Sequence, residues 1–141
     1  MTNDANDFVR SMGIATSGLR AQAGRMRVIS ENIANADSTA PTAGGNPYRR
    51  KVPTFSSALD RTLDAKVVTL GKIRPDQAAF RIKHEPSNPA ADAAGNVKYP
   101  NVNSLIEMTD MREAQRSYEA NLNIISATRR MIQRTLDILK A

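Results

Sequence analysis

Few side chains in this sequence have the types and spacing that enzyme chemistry or metal binding requires. The single histidine, His84, sits in a polar stretch beside Glu85 and has no second histidine or cysteine to work with. Glu107, Asp110 and Glu113 recur every third residue and could in principle bind a divalent cation. Their position in the first turns of a predicted helix favours capping and helix-dipole roles instead. We predict no catalytic residue, metal ion, cofactor or small-molecule substrate.

A basic cluster at Tyr48, Arg49, Arg50 and Lys51 is the other candidate site. Positive charge beside an aromatic ring can contact nucleic acid, but such groups are also common on solvated loops and in protein contacts. The chain carries a net charge of +6, and residues 37–104 hold most of that excess, with 10 basic and 6 acidic side chains. No glycine-rich phosphate-binding motif occurs. We favour a contact with another protein over one with nucleic acid.

Two long helices are predicted at the ends of the chain, because apolar residues recur there at alternating spacings of three and four. In the first, over residues 8–36, three internal glycines each cost about 1 kcal/mol relative to alanine. The second, over residues 105–139, begins at a capping box formed by Ser104 and Glu107. The residues predicted to pack between subunits are Phe8, Met12, Leu19, Met26, Ile29 and Ile33 in the first helix and Met108, Met111, Tyr118, Leu122, Ile125, Ile132, Leu136 and Leu139 in the second.

A further apolar row in the second helix consists of Ile124, Met131 and Ile138, seven residues apart. It lies roughly 160° around the helix from the row of Leu122 and Leu136, at ~100° per residue. An antiparallel hairpin of the two helices would explain the narrow rows equally well as an assembly would. It would leave this further row uncovered, which favours packing between subunits.

Between the helices, residues 37–104 have the composition of a small irregular insert. We predict a short helical turn around Phe55, Leu59 and Leu63, a hairpin of residues 67–70 with 79–83, and an irregular connector over residues 86–100. The predicted fold is mainly α, with long terminal helices packing as a coiled coil and a small irregular or β-hairpin insert. Its parts are residues 1–36, 37–104 and 105–141.

The N-terminal sequence lacks the basic and then apolar order of a cleavable secretory signal, and no apolar run is long enough to span a bilayer. An amphipathic last helix could lie on a membrane surface, although acidic residues interrupt its polar face. The alternative function is therefore a basic coiled-coil adaptor that binds nucleic acid or a membrane surface.

Two segments resemble the flagellar axial proteins, the family of bacterial rod and hook subunits. One is SENIANAD at residues 30–37, with Asn32, Ala34 and Asn35, and the other is RSYEAN at residues 116–121. The C-terminal motif residues are Arg116, Tyr118, Ala120 and Asn121. The short middle, with YRR at 48–50 and VPTF at 52–55, is most similar to the proximal-rod type, since distal-rod and hook proteins have longer inserts.

The resemblance implies a non-enzymatic structural subunit of the flagellar proximal rod in the periplasm. Such subunits polymerise through their terminal helices into a hollow drive shaft that transmits torque and conducts exported subunits. The implied partners are further copies, other proximal-rod proteins, the rod-to-ring adaptor, distal-rod subunits and the flagellar type III export apparatus. Export would then need no cleavable signal peptide.

Overall fold

Long helices at both ends of the chain dominate the structure, a computed structural model that describes residues 2–140. Short antiparallel strands lie between them, so the prediction of a mainly α fold with a small β insert is confirmed. The elements are α1 (Thr2–Ala34), β1 (Lys51–Val52), β2 (Phe55–Asp60), β3 (Ala65–Leu70), β4 (Arg74–Pro75), β5 (Arg81–His84), β6 (Asn96–Tyr99) and α2 (Ser104–Lys140).

The described strands form three separate antiparallel pairs, β1 with β4, β2 with β3, and β5 with β6. The predicted helical turn is wrong, because Phe55 and Leu59 lie in β2, which pairs with β3 from Phe55 opposite Leu70 to Asp60 opposite Ala65. The predicted pairing of residues 67–70 with 79–83 is also wrong. β5 pairs instead with β6, inside the stretch that we expected to be irregular. Flanking prolines there obscured the alternation of buried Val97 and Tyr99 with half-buried neighbours.

By its contacts the chain divides into two compact units, and residues of the insert belong to both. The first unit contains the chain up to Met26, Thr54–Lys72, and the chain from Glu113 onward. The second contains Arg27–Pro53 and Ile73–Arg112. The division into inner helices and an outer insert concerns the assembled state and stays a prediction.

In the first unit, α1 and α2 run antiparallel. Gly18 faces the side chain of Asn121, and further along α1 the guanidinium of Arg25 lies 3.4 Å from the carboxylate of Glu113. The helical glycines have a packing role that the sequence did not indicate. A methyl group at Gly18 would come within 2.8–3.0 Å of the Asn121 amide group, so the missing Cβ admits that side chain.

The β2–β3 hairpin of the same unit packs on α1. Leu63 and Leu70 lie where a Cβ on Gly13 or Gly24 would be, so these two glycines make room for the hairpin. Arg10 of α1 donates a hydrogen bond from Nε to the carbonyl of Leu63 at 2.9 Å. The helix-breaking cost of these glycines is therefore offset by close packing.

The second unit has a small apolar cluster of Ala90, Val97 and Tyr99. The Tyr99 hydroxyl donates to Glu85 at 2.8 Å. This bond to the Glu85 carboxylate raises the pKa of Tyr99 and lowers the pKa of Glu85. Val28, Ile29 and Val102 are also buried in this unit, so polar contacts add to a thin apolar core.

The start of α2 is capped by Asn103. Its Oδ1 accepts the backbone N–H groups of Leu105 and Ile106 at 3.1 and 3.4 Å. The predicted capping box of Ser104 and Glu107 is wrong, because the Glu107 carboxylate bonds to side chains elsewhere. Within residues 2–140, neither helix combines the length and apolarity needed to cross a bilayer.

Candidate functional site: a buried polar junction and an uncovered helix face

The most buried charged side chain described in the second unit is Glu107, which is 1% exposed. Both of its carboxylate oxygens accept hydrogen bonds. Nε of Arg50 donates to Oε1 at 2.6 Å, and Nδ2 of Asn32 donates to Oε2 at 3.0 Å. A buried carboxylate is tolerated when its charge is paired and its oxygens are bonded, and both conditions hold here.

Asn32, near the end of α1, has hydrogen-bond partners for both polar atoms of its side-chain amide. Its Nδ2 also donates to the carbonyl of Lys51 at 2.8 Å, and its Oδ1 accepts from the Lys51 N–H at 2.9 Å. The hydroxyl of Tyr48 donates to the same oxygen at 2.8 Å. We call these residues, Asn32, Tyr48, Arg50, Lys51 and Glu107, the Glu107 junction.

Arg50 extends the junction to two further acids. Its Nη1 lies 3.4 Å from Asp76 and its Nη2 lies 3.7 Å from Asp110. Burial lowers the pKa of Arg50, but the hydrogen bond and charge of Glu107, with those of Asp76, raise it by more. The guanidinium therefore stays charged while it holds the carboxylates together.

The neighbouring basic residues are also engaged within the chain. Arg49 donates from Nη1 to the carbonyls of Asp76 and Ala78 at 2.8 and 3.1 Å, and its guanidinium stacks 4.2 Å above the ring of Phe80. Lys51 pairs with Glu31. The predicted contact residues Tyr48, Arg49, Arg50 and Lys51 thus all bond inside the second unit. A contact with another protein stays a prediction for them.

Burial raises the pKa of the Tyr48 hydroxyl to about 12, and the negative charges of Glu31 and Glu107 add to the effect. The protonated hydroxyl is the form that donates to Asn32. Tyr48 therefore acts as a neutral hydrogen-bond donor at physiological pH.

The three acids at the start of α2 serve as partners for arginines, which corrects our expectation of purely capping and dipole roles. Glu107 and Asp110 face Arg50, and Glu113 faces Arg25 in the first unit. Among the described residues, no cluster of histidine or acidic side chains could hold a metal ion. His84 is exposed and its Nδ1 lies 3.2 Å from Oδ1 of Asn96.

Half of the positions on the inward face of α2 lie one residue before the positions that the predicted apolar row would place there. Its most buried positions carry polar or small side chains, Glu107, Ala114 and Thr128, and the half-buried Asn121 completes their seven-residue spacing. The half-buried Met111, Tyr118, Ile125 and Ile132 alternate with them, and their packing between subunits stays a prediction. Hydrophobicity selects Met108 and Leu122 instead, which are exposed. The seven-residue spacing of these polar and small side chains was the sequence signal that could have identified the inward face.

In α1, the predicted packing residues line the inner side. Ile29 is buried, and Phe8, Met12, Leu19, Met26 and Ile33 are half-buried. The polar positions within the two predicted rows differ. Arg129 and Gln115 are exposed, whereas the Oε1 atom of Gln22 is buried and has no hydrogen-bond partner in the described part of the chain.

Exposed apolar side chains lie along α2, on more than one of its faces. Seven predicted packing residues are exposed by 42–76%: Met108, Leu122, Ile124, Met131, Leu136, Ile138 and Leu139. Six of these seven lie beyond residue 120. Such a density of exposed large apolar side chains on one helix is typical of a surface that binds protein.

Two family models match the ends of the chain. The model described as flagella basal body rod protein matches residues 12–40, and the one described as flagellar basal body rod FlgEFG protein C-terminal matches residues 93–138. The flagellar basal-body rod protein FlgC of Agrobacterium fabrum is 54% identical, over 91% of this chain and 92% of its own. The FlgC proteins of Bacillus subtilis and Aquifex aeolicus are 38% and 36% identical, over 92% and 95% of this chain and 97% and 98% of theirs.

The chain belongs to the FlgC family of flagellar basal-body rod proteins. The resemblance seen in the sequence is confirmed, and with it a structural role in the rod. The family is not known for catalysis. The alternative of a nucleic-acid or membrane adaptor is not supported.

The motif residues that resemble the family lie within the two matched segments, and their environments differ. Asn32 is buried in the Glu107 junction, and Asn121 is half-buried against Gly18. Asn35 donates from Nδ2 to the carbonyl of Glu31 at 2.8 Å. Tyr118 is half-buried, while Ala34, Arg116 and Ala120 are exposed. The family motifs therefore combine residues that pack within the chain with residues that are exposed on its surface.

Proposed function

We propose that this chain is a structural subunit of the proximal rod and polymerises through its terminal helices. The assembled helices form the wall of a hollow shaft, which transmits motor torque and conducts exported subunits. The observation that carries the proposal is the uncovered apolar surface of α2 in a chain of the FlgC family.

The division of α2 into faces supports packing between subunits. Its inward face contacts α1 of the same chain, while Leu122, Leu136 and Leu139 remain exposed. Burying one such side chain contributes roughly 1.5–3 kcal/mol, so a few of them suffice to stabilise a contact. The neighbouring helices cover these residues by coiled-coil packing. Contacts between unlike surfaces do not close on themselves and so build a tube.

The Glu107 junction gives each subunit a fixed geometry at the base of its helices. It ties the end of α1, the segment around Arg50 and the first turn of α2 together through bonds that have defined directions. A shaft under torsion needs such joints, because apolar contacts alone permit sliding. The half-buried Tyr48, Arg49 and Lys51 keep an outer edge that contacts neighbouring proteins.

Family membership supports the choice of partners. They are further copies of the chain, other proximal-rod proteins, the rod-to-ring adaptor and distal-rod subunits, with delivery by the flagellar type III export apparatus into the periplasmic part of the basal body. No nucleic acid and no small-molecule substrate takes part.

The test is a variant with Leu122→Ser and Leu136→Ser, expressed in a strain that lacks its own copy of the protein. We expect loss of swimming and absence of the rod from purified basal bodies, because the neighbours lose apolar area. Circular dichroism of the purified variant should remain helical, since both side chains are exposed in the single chain. Asn123→Ser, on the same helix, is the matched control and should swim. Normal rods in the double variant would contradict the proposal.

A further inference from the structure

One row of α2 lies apart from the surface that contacts α1. Ile124, Met131 and Ile138 are exposed by 48%, 48% and 76%, and they recur every seven residues. We call this row the α2 seam. The inward positions Ile125 and Ile132 lie roughly 100° around the helix from it, and Thr128 lies roughly 40–60° from it, at ~100° per residue. The seam is therefore free to receive a helix that is not part of this chain.

Two arginines border the seam on the side away from the inward face. Arg130 and Arg134 are exposed, stand one helical turn apart, and have no hydrogen-bond or ion-pair partner among the side chains described for residues 6–140. The last turns as a whole are basic, because residues 129–140 carry Arg129, Arg130, Arg134 and Lys140 but only Asp137 as an acid. Charges that flank an apolar seam determine which helix can pair with it.

A second copy of this chain carries an excess of positive charge. Its net charge is +6, and the acids at the start of α2 already face arginines of their own chain. Pairing the basic turns of one copy with the basic turns of another would bring like charges together. The charge balance therefore points to a different protein.

We infer that the α2 seam binds a helix of a different rod component, whose own apolar row is bordered by aspartate or glutamate. The inference rests on the proposed function and adds the chemistry of one partner. Apolar contact along Ile124, Met131 and Ile138 supplies affinity, and the acids opposite Arg130 and Arg134 select the partner from the other helices of the rod.

The direct test uses two synthetic helical probes with the same isoleucine and leucine heptad row, one bordered by glutamate and the other by lysine. Each is titrated by fluorescence anisotropy against the full chain. The glutamate probe should bind at least about tenfold more tightly than the lysine probe, and the preference should weaken as salt is raised. Equal binding of the two probes would overturn the inference.

Arg130→Glu with Arg134→Glu should reverse the preference, so that the lysine probe binds better. Arg129→Glu is the matched control, since it makes the same change on the same helix but lies ~160° from Met131. It should leave the preference for the glutamate probe in place. An equal loss of preference in the control would mean that only overall charge matters, and the inference would fail.

Two other occupants would give distinct results. If a second copy of the chain occupied the seam, the purified chain would self-associate in sedimentation experiments and the Arg130→Glu, Arg134→Glu variant would not. If the seam bound a membrane surface, the chain would float with vesicles of anionic phospholipid and would not bind the glutamate probe. Either result would overturn the inference.

Selection in cells separates this inference from the proposed function. Cells with Arg130→Glu and Arg134→Glu should swim poorly, and motile suppressors should replace an acid by lysine in a different rod protein. Suppressors confined to this chain would refute the acidic partner but leave the rod subunit intact. Normal swimming of both this variant and the Leu122→Ser, Leu136→Ser variant would instead refute the proposed function.

Discussion

The two halves of α2 solve different problems. At its start, Glu107 is buried and bonded to Arg50 and Asn32, so the side chains there are satisfied by their own chain. Toward its end, Ile138 and Leu139 are exposed by 76% and 65%. The contrast indicates that polar side chains help to fix the fold at the start of α2, whereas apolar side chains at its end are left for assembly.

This allocation is a feature of α2, because apolar side chains such as Val28, Val97 and Val102 still form the buried core of the chain. It suits a subunit with several unlike neighbours, because hydrogen bonds demand one geometry while an apolar surface adapts to different partners. The junction should therefore respond strongly to substitution in the isolated chain. The exposed end should respond weakly.

The largest effect is expected for Glu107→Ala. Removing this carboxylate leaves Arg50 with only its longer contacts to Asp76 and Asp110 and leaves Nδ2 of Asn32 with the Lys51 carbonyl as its remaining acceptor. Breaking a buried pair in this way costs about 3–5 kcal/mol, measured as the free energy of unfolding in urea. The control Glu119→Ala, exposed on the same helix, should change it by less than about 0.5 kcal/mol.

Glu107→Gln tests whether the charge or only the shape is needed. Both carboxylate oxygens accept a bond, whereas glutamine offers one oxygen and would turn its NH2 group toward a donor on Arg50 or Asn32. We expect glutamine to destabilise as well. A stability within about 1 kcal/mol of the wild type for both variants would remove the contrast between the halves.

Asn32→Ala should have the next largest effect. It leaves the N–H and C=O of Lys51 and the hydroxyl of Tyr48 without their partner, and unsatisfied buried groups cost about 1–3 kcal/mol. Asn35→Ala is the matched control on the same helix. Among the described residues its side chain bonds only to the carbonyl of Glu31, so a smaller loss is expected in the same urea titration. Equal losses would show that the junction has no special weight.

Sequence patterns were sufficient for the two helices, because their heptad spacing extends over many turns. They were not sufficient for the junction. Glu107 follows Ser104 by three residues and so matches a capping box, while its true partner, Arg50, is 57 residues away and lies in what read as a basic surface cluster. The strand pairs were missed for the same reason, since two to six residues carry too little periodicity to select a partner. Pairing over such distances is decided by the tertiary fold.

A double-mutant cycle on Gly18 and Asn121 sharpens the comparison in the middle of the helices. Alanine at a helical glycine adds about 1 kcal/mol of stability when there is space for it. The Asn121 side chain occupies that space in the wild type. Gly18→Ala should therefore gain little or lose stability alone, and should gain about 1 kcal/mol when Asn121→Ala is also present. The same gain in both backgrounds would show that the contact is unimportant.

Alkaline titration probes the junction through Tyr48. Its pKa is raised to about 12 in the folded chain from an ordinary value of 10.0. The folded state then binds the proton more tightly than the unfolded state, so the stabilisation is complete below pH 10 and is lost as the pH rises toward 12. Stability should fall more steeply over this interval in the wild type than in Tyr48→Phe. Parallel curves from denaturation at each pH would contradict this role for the hydroxyl.

The smallest effect on the isolated chain is expected at the far end of α2, from a matched pair of isoleucines. Ile132 is half-buried toward α1 and Ile138 is exposed by 76%. Ile132→Ser should lower the free energy of unfolding by about 1–2 kcal/mol through lost burial, whereas Ile138→Ser should change it by less than about 0.5 kcal/mol. In cells the order of the two effects should be reversed. Ile138→Ser should impair swimming more than Ile132→Ser although its chain is stable, because it removes apolar area that a neighbour needs. A stable Ile138→Ser variant with normal motility would mean that this end of α2 is not used in assembly, whatever the junction contributes.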